Sequence, residues 1–363
     1  MFSKKIIDWY SENGRSLPWR VTSDAYKIWL SEIILQQTRI EQGTSYYLRF
    51  VETFPTVCDL AAASEQEVLK LWQGLGYYSR ARNLHAAAQY IATKLKGRFP
   101  DTYEGILKLK GVGRYTAAAI ASFAYRLPYP VIDGNVYRLV ARLYGISTPI
   151  GTDAAYKEFE QLLQHLIDRR RPDLFNQAMM DFGSIYCKPV PVDCETCIFR
   201  QECVARREGR VALLPVKAAA ATVKERWFYY YHLEWRSDGQ TLTLLHQRTG
   251  SDIWRGLYEF PLLEADHPLP DKELQQQNDA FLSSLHVTPA TKAEVAFSLD
   301  HKLTHRTIHA TFIHAILPED SIPNIRNDKP YTAEGLKKLP ISRLMDRYLS
   351  SMCKKSPAPF GKK

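Results

Sequence analysis

The chain has no apolar run approaching the roughly 20 residues that a transmembrane helix requires. That sets aside a membrane-spanning role. Its first ten residues, Met1 to Tyr10, contain no signal-peptide core and no Arg- and Ser-rich transit character. A reducing, cytoplasmic compartment of bacterial type is the expectation. Acidic charge is the minority sign: 39 Asp and Glu against 48 Lys and Arg leave a net charge of +9 over 363 residues. This balance points to a polyanionic partner, nucleic acid first and an anionic membrane surface second. Charged residues at 24% are near the globular average and apolar residues at 45% supply a core, which excludes a wholly disordered chain. No internal repeat is visible, and the length suits two or three domains.

Cysteine is scarce and unevenly placed. Cys58 and Cys353 stand apart, whereas Cys187, Cys194, Cys197 and Cys203 fall within 17 residues. In a reducing compartment such a group reads as a metal site rather than as disulfides. Four thiolates close a tetrahedral zinc site or hold a four-iron cluster. The C-x6-C-x2-C-x5-C spacing lacks the paired C-x2-C knuckles usual for zinc, but the pattern alone leaves the metal open. Lys188, Arg200, Arg206 and Arg207 surround the group, suiting either phosphate contact or a solvated basic face.

Strand-like runs are missing before Lys224. Tyr26, Trp29, Leu30, Ile33 and Ile34 form one apolar stripe at helical spacing. Ser64 with Glu67 makes a capping box that opens a helix through Trp72. Leu84, Ala87, Ala88, Ile91 and Leu95 trace a helix closed by Gly97, and Asp153 to Ile167 traces another. Residues Val204 to Val223, rich in Arg, Lys and Ala, read as a connector. Beyond them Arg226–Glu234, Leu242–Gln247 and Arg306–Leu317 read as strands; in the last, Ile308, Ala310, Phe312 and Ile316 form the apolar side. A helix over Ile341–Met352 and a lysine-bearing tail close the chain.

Three features suggest chemistry. Leu107 to Ala117 reads as a helix end, a tight turn through Gly111 and Gly113, and a new helix whose first N–H groups face an anion such as a DNA phosphate. Glu32 lies off the main apolar stripe but is flanked by Ile28 and Leu35, so it suits a cleft; as an isolated residue it reads as a solvated helix glutamate. Asp133, in Val131-Ile132-Asp133-Gly134-Asn135-Val136, reads by itself as a helix N-cap.

Taken together, Leu17-Pro18-Trp19-Arg20, Ser31-Glu32 to Thr38, Gly74 to Leu84, the glycine hairpin, Asp133 to Val136, and Phe175 to Gly183 leading into Cys187 resemble the endonuclease III superfamily of base-excision DNA glycosylases. Within it they are similar to the adenine DNA glycosylases. The resemblance implies a multidomain fold. An all-α helix-hairpin-helix body with an iron–sulfur lobe spans 1–203, a connector spans 204–224, an α+β Nudix-like lesion-recognition domain spans 225–350, and a basic disordered tail spans 351–363. It implies a [4Fe–4S] cluster on the four cysteines. It implies a monomer acting on double-stranded DNA that contains A:8-oxoguanine or A:G mispairs, with no membrane partner.

Residue roles follow from the same resemblance. Bifunctional relatives carry a lysine early in the second hairpin helix; here Tyr115 stands there, and a phenol forms no imine, so base release without strand cleavage is implied. Glu32 matches the general acid that protonates adenine. Keeping half of it protonated at pH 7 takes roughly 3.7 kcal/mol, which a closed apolar pocket could supply. Asp133 matches the carboxylate that stabilises the sugar cation, with Tyr115 and Asn135 in support. Trp19, Arg20 and Gln177 match the adenine pocket, and Gln37, Thr38 and Tyr77 match residues that meet the opened duplex. Trp254 to Pro261 is similar to a signature shared with Nudix proteins, yet the acidic Nudix box does not follow, so no metal-dependent nucleotide hydrolysis is expected. Leu303-Thr304-His305 lines up with a lesion-reading Phe-Ser-His loop: Thr304 keeps the hydroxyl, and Leu303 lacks the ring.

Overall fold

A computed structural model describes residues 2–190, 193–218, 223–284, 292–319 and 328–355. Contacts divide the chain into two compact units, one formed by residues 1–62 and 83–220, the other by 63–82 and 221–363. Among the described residues, no helix is long and apolar enough to cross a membrane.

The first unit is helical. Its elements are α1 (Phe2–Asn13), α2 (Ala25–Leu35), α3 (Ile40–Thr53) and α4 (Val57–Ala62). After the insertion of α5 (Glu65–Trp72) come α6 (Ser79–Lys94), α7 (Tyr103–Leu107), α8 (Arg114–Tyr125), α9 (Gly134–Tyr144), α10 (Asp153–Leu166), α11 (Pro172–Asp181) and α12 (Val204–Arg207). One core gathers Ile6 of α1, Val136 and Val140 of α9, Phe159 and Leu163 of α10, and Phe175 and Met179 of α11. The α6 stripe closes as expected: Gly97 takes φ +75° and its N–H reaches the Ile91 carbonyl at 3.0 Å. The hairpin between α7 and α8 turns at Gly111, at φ +81°, where a side chain would also meet Asn83 at 2.7 Å.

Helix α2 departs from the single-stripe expectation. Ser31 and Glu32 are buried along with Trp29, Leu30, Ile33 and Ile34, so the helix is enclosed on all sides. The connector also departs from expectation. Ala205 and Leu214 lie in the core of the first unit, and the Arg142 Nε donates to the Leu214 carbonyl at 3.0 Å. This basic, Ala-rich stretch is therefore partly packed, because its few apolar side chains find burial. The Ala218–Ala221 run extends past the described residues.

The second unit is a mixed sheet between helices. Its strands are β1 (Lys224–Ser237), β2 (Gln240–Gln247), β3 (Tyr258–Glu259), β4 (Leu262–Ala265), β5 (Lys292–Leu303), β6 (Arg306–Ile316) and β7 (Lys329–Thr332). The path runs β3-β2-β1-β6-β5, with β4 on β1 and β7 on β2. Strands β1 and β6 are parallel. Helix α13 (Asp271–Ser284) covers one face, with Phe281 stacked on Tyr231 at 4.4 Å. A short α14 (Ala333–Lys338) precedes α15 (Arg343–Lys355), whose Tyr348 stacks on Phe312 at 4.1 Å on the other face.

Because both faces are covered, β6 does not keep the alternation read from its sequence. Phe312 and Ile313 are both buried, on opposite faces, and Ile316 is exposed. The last helix starts at Arg343 rather than Ile341 and runs to Lys355, so the expected tail begins inside it. The rest of that tail, including Lys362 and Lys363, lies outside the described residues.

The boundary at 203/225 is not where contacts divide the chain, because residues 63–82 pack with the downstream module. Lys70 Nζ donates to the Leu339 carbonyl at 2.9 Å, and the Tyr78 hydroxyl to the Ile341 carbonyl at 3.0 Å. A side chain at Gly256 would come within 2.9 Å of Leu69. The capping box at Ser64 is formed and opens α5 as expected, but α5 belongs to the second unit.

Candidate active site

In the first unit a cavity of about 680 Å³ opens between α2, α8, the start of α9 and the end of α11. Nine of the residues singled out above line it: Trp19, Arg20, Glu32, Gln37, Thr38, Tyr115, Asp133, Asn135 and Gln177. They come from six separate stretches of chain, so their convergence is a property of the fold.

Glu32 is only 7% exposed. Burial drives its carboxyl up to about 7; a hydrogen bond from Tyr115 and the Arg20 charge pull it back, and the Asp133 charge adds to the rise. Such a group is close to half protonated at neutral pH. The Tyr115 phenol is itself held well above its ordinary value, by burial and then by the Glu32 charge.

Asp133 is the N-cap of α9. Its carboxylate accepts from the Asn135 backbone N–H at 2.9 Å, the Val136 N–H at 2.7 Å and the Asn135 side-chain amide at 2.8 Å. Burial raises its pKa, and these three donors oppose the rise. The capping reading and the catalytic reading thus describe one group: the helix start that Asp133 caps also supplies the positive field that favours its anion. Asn135 is fixed in turn by Arg138, which donates to Asn135 Oδ1 at 2.8 Å, to the Gly183 carbonyl at 2.6 Å and to the Cys187 carbonyl at 2.9 Å. Gly183 passes so close that a Cβ there would sit 2.7 Å from the Asn135 carbonyl oxygen.

Several residues that shape this cavity were not singled out from sequence. Asp181, with no exposed surface, takes both Arg20 guanidinium ends at 2.7 and 2.9 Å and the Arg15 N–H at 2.9 Å. Burial by itself would raise its carboxyl; the hydrogen bonds from Arg20 and Arg15 outweigh that and hold it low. Tyr10 donates to Gln177 Oε1 at 2.6 Å. Gln36 reaches Thr116 at 3.3 Å. No local motif marks these residues, because their partners lie up to 167 positions away.

The remaining candidates lie elsewhere. Gly111 and Gly113 form the hairpin turn, and Gly113 is the N-cap of α8 and offers no side-chain cap, leaving the helix's first N–H groups for another acceptor. Tyr77, Thr304 and His305 belong to the second unit. Thr304 and His305 are the two-residue turn between β5 and β6, and the Thr304 hydroxyl is hydrogen-bonded to the Tyr77 phenol. Gln37 and Tyr77 both have left-handed backbones, at φ 57° and 47°. For residues with a side chain this costs about 1–3 kcal/mol and is concentrated at functional positions. Also in the second unit, the carboxylates of Glu259 and Glu264 are taken by Arg248 at 2.8 and 2.9 Å.

Cys187, Cys194, Cys197 and Cys203 line one small chamber with Arg142, Arg200 and Arg206. Arg142 approaches Cys187 Sγ at 3.4 Å, and the Phe199 N–H approaches Cys197 Sγ at 3.4 Å. The four thiolates thus share one chamber as a set of soft sulfur donors for a metal centre.

Comparison with known proteins agrees with this geometry. Residues 30–167 match the HhH-GPD superfamily of base excision DNA repair proteins, and residues 230–351 match the NUDIX domain. An adenine DNA glycosylase of Buchnera aphidicola from Acyrthosiphon pisum is 32% identical over 88% of this chain and 87% of its own. One from Rattus norvegicus is 33% identical over 84% of this chain and 69% of its own. The solved structure of a thermostable thymine-DNA glycosylase superposes with a TM-score of 0.54 at 28% identity, covering 57% of this chain and 95% of that one. A trapped endonuclease III–DNA covalent intermediate shares the fold at a TM-score of 0.50 and 22% identity, over 57% of this chain and 94% of its own. This chain belongs to the adenine DNA glycosylases, the base-excision repair enzymes that hydrolyse the N-glycosyl bond of adenine.

Proposed function

We propose that the chain is a monofunctional glycosylase for adenine paired with 8-oxoguanine or guanine, with Glu32 as general acid and Asp133 as the anion that holds the sugar cation. The observation that carries this reading is a buried Glu32, whose burial pushes its carboxyl up, and a hydrogen-bonded Asp133 lining the same cavity. An adenine inside a duplex is unreachable, so the base must leave the stack and enter that cavity. Glu32 gives its proton to N7. The C1′–N9 bond then breaks, its electron pair stays with the base, and the deoxyribose becomes an oxocarbenium ion beside the Asp133 carboxylate. Glu32, now ionised, takes a proton from the water that adds to C1′. This is the division of labour of glycoside hydrolysis: one acid to expel, one anion to hold. Tyr115 supports Glu32 and offers no amine for a Schiff base.

Trp19, Arg20 and Gln177 would enclose the purine. With Gln177 Oε1 accepting from Tyr10, the amide N–H groups are the end suited to purine ring nitrogens. Gln37 and Tyr77 would enter the duplex, Thr38 would stand beside Gln37, the Gly111–Gly113 turn would hold a phosphate, and Thr304 and His305 would read the opposite base. The four cysteines would hold a [4Fe–4S] cluster, which when bound contributes iron–thiolate cross-links between Cys187 and Cys203. Purified protein is expected to be yellow-brown with four irons per chain; a colourless, zinc-loaded preparation would refute this.

The test is a nicking assay on an A:8-oxoguanine duplex, with and without hot alkali. Strands that stay intact until alkali support the reading. A borohydride-trappable adduct with direct cleavage would indicate a lyase, and no product would indicate a binding protein. The pH profile gives a second check. The protonated form of Glu32 is the active one, so base release is expected to fall as pH rises through about 7, approaching tenfold per pH unit above it. A flat profile between pH 7 and pH 9 would count against Glu32 as the acid.

A further inference from the structure

The second unit contains a cluster of metal-ligating side chains that plays no part in the glycosylase reading. His232 and Glu234 lie two apart on β1 and so point to one face of the sheet. His314 on β6 is the direct register partner of His232, which places it on that same face. The two imidazoles stack with centroids 4.8 Å apart. One ligand atom from each of the three residues lies within 4.8 Å of the other two. His314 Nε2 is 2.5 Å from one Glu234 oxygen, and His232 Nε2 is 3.7 Å from the other.

We infer that His232, Glu234 and His314 form a binding site for a divalent first-row metal ion of the zinc class. Two imidazoles and a carboxylate are borderline ligands that favour zinc over magnesium or calcium. The ring nitrogens that would bind are the two Nε2 atoms. The other nitrogen of His232, Nδ1, is 2.9 Å from the hydroxyl of the buried Tyr348 on α15. A hydrogen bond at the far ring nitrogen is how metal-bound histidines are oriented: with Nδ1–H donating to the Tyr348 oxygen, Nε2 is left to the metal. The strands preset the geometry, since register and pleat set all three positions and no loop has to order itself around the ion.

The site is reachable. His232 is buried, whereas the Glu234 and His314 side chains keep 31% and 15% of their surface exposed. Three protein ligands leave a fourth position for water. Glu294 on β5 is the register partner of His314 and shares its face. Bound metal would tie β1 to β6 and, through His232 and Tyr348, brace α15 on the sheet.

The experiment uses the full chain and zinc sulfate, with Glu234→Gln and His314→Gln as variants at partly exposed positions. Both variants keep every cysteine, so zinc taken up by the cysteine chamber is common to all three proteins. Wild type is expected to bind one zinc more per chain than either variant, with at least a hundredfold loss of affinity in each variant at this site. Zinc is expected to raise the melting temperature of wild type by more than that of either variant. X-ray absorption of the additional zinc should show nitrogen and oxygen ligands only. Equal uptake and equal melting shifts in all three proteins would overturn the proposal, as would no uptake by wild type at millimolar zinc or sulfur at about 2.3 Å from the additional ion. None of these readouts depends on base release, so the site and the glycosylase reading can fail separately.

Discussion

Replacing Glu32 with Gln should cut the rate of adenine release by about 10²–10⁴-fold, the usual contribution of a positioned general acid. Duplex binding should be nearly unchanged. The amide has the carboxyl's shape, so cavity and fold are kept, but it has no proton of suitable acidity for N7. Single-turnover kinetics beside a binding isotherm would separate the two effects, and equal losses in both would argue against the acid role.

The same substitution should have the opposite effect on stability at alkaline pH. The folded protein raises the Glu32 carboxyl from an ordinary 4.5 to about 7 by burying it. Any stability the protonated form enjoys is present below the unfolded value and is lost as pH rises through the folded one. Above pH 7 the buried carboxylate therefore costs about 3 kcal/mol, at 1.36 kcal/mol per pH unit. Glu32→Gln removes that cost. At pH 8 the variant should melt at a higher temperature than wild type, and near pH 5 the advantage should largely disappear. An enzyme made more stable and inactive by one isosteric change would locate the strain of this fold at its acid.

Asp181→Asn should act in the reverse direction. This carboxylate is fully buried and hydrogen-bonded by both Arg15 and Arg20. Removing one partner of a buried ion pair leaves uncompensated charge and costs about 3–5 kcal/mol. Because its folded pKa is depressed, the stability it provides is present at neutral pH and is lost as pH falls through the folded value, opposite to Glu32. A second readout distinguishes more than folding. With Asp181 neutral, the Arg20 charge is less compensated, and that charge already pulls the Glu32 carboxyl down. The alkaline limb of the pH profile should therefore move to lower pH in Asp181→Asn. A destabilised variant with an unmoved limb would make Asp181 purely structural.

The parts of this molecule that could be read from its sequence were those whose chemistry is local. The hairpin glycines, the Ser64 capping box, the Asp133 cap and the short cysteine spacing each depend on neighbours a few residues away. Glu32 was harder. Periodicity assigned α2 one apolar stripe, whereas the helix is enclosed on all sides, and only packing against α3 and α8 reveals that. Asp181 lacked any sequence signal because Arg15 and Arg20 reach it across more than 160 residues. Helix α13 was not foreseen: Asp271–Ser284 is rich in Gln and polar residues, has no fully buried side chain, and is held by contacts such as Phe281 on Tyr231. Strand β6 kept its strand identity but not its one-sided pattern, because a sheet covered by helices on both faces has no solvent side to mark.

The membership of residues 63–82 in the downstream unit has a consequence for how this chain can be divided. The backbone passes from one unit to the other three times, at 62/63, 82/83 and 220/221. A single proteolytic nick between Ala218 and Val223 would therefore leave the fragments associated, since α5 and the loop bearing Tyr77 remain spliced into the upstream piece while gripping the downstream one. Loss of the downstream gene segment would strand Leu69 without the Gly256 face it rests on.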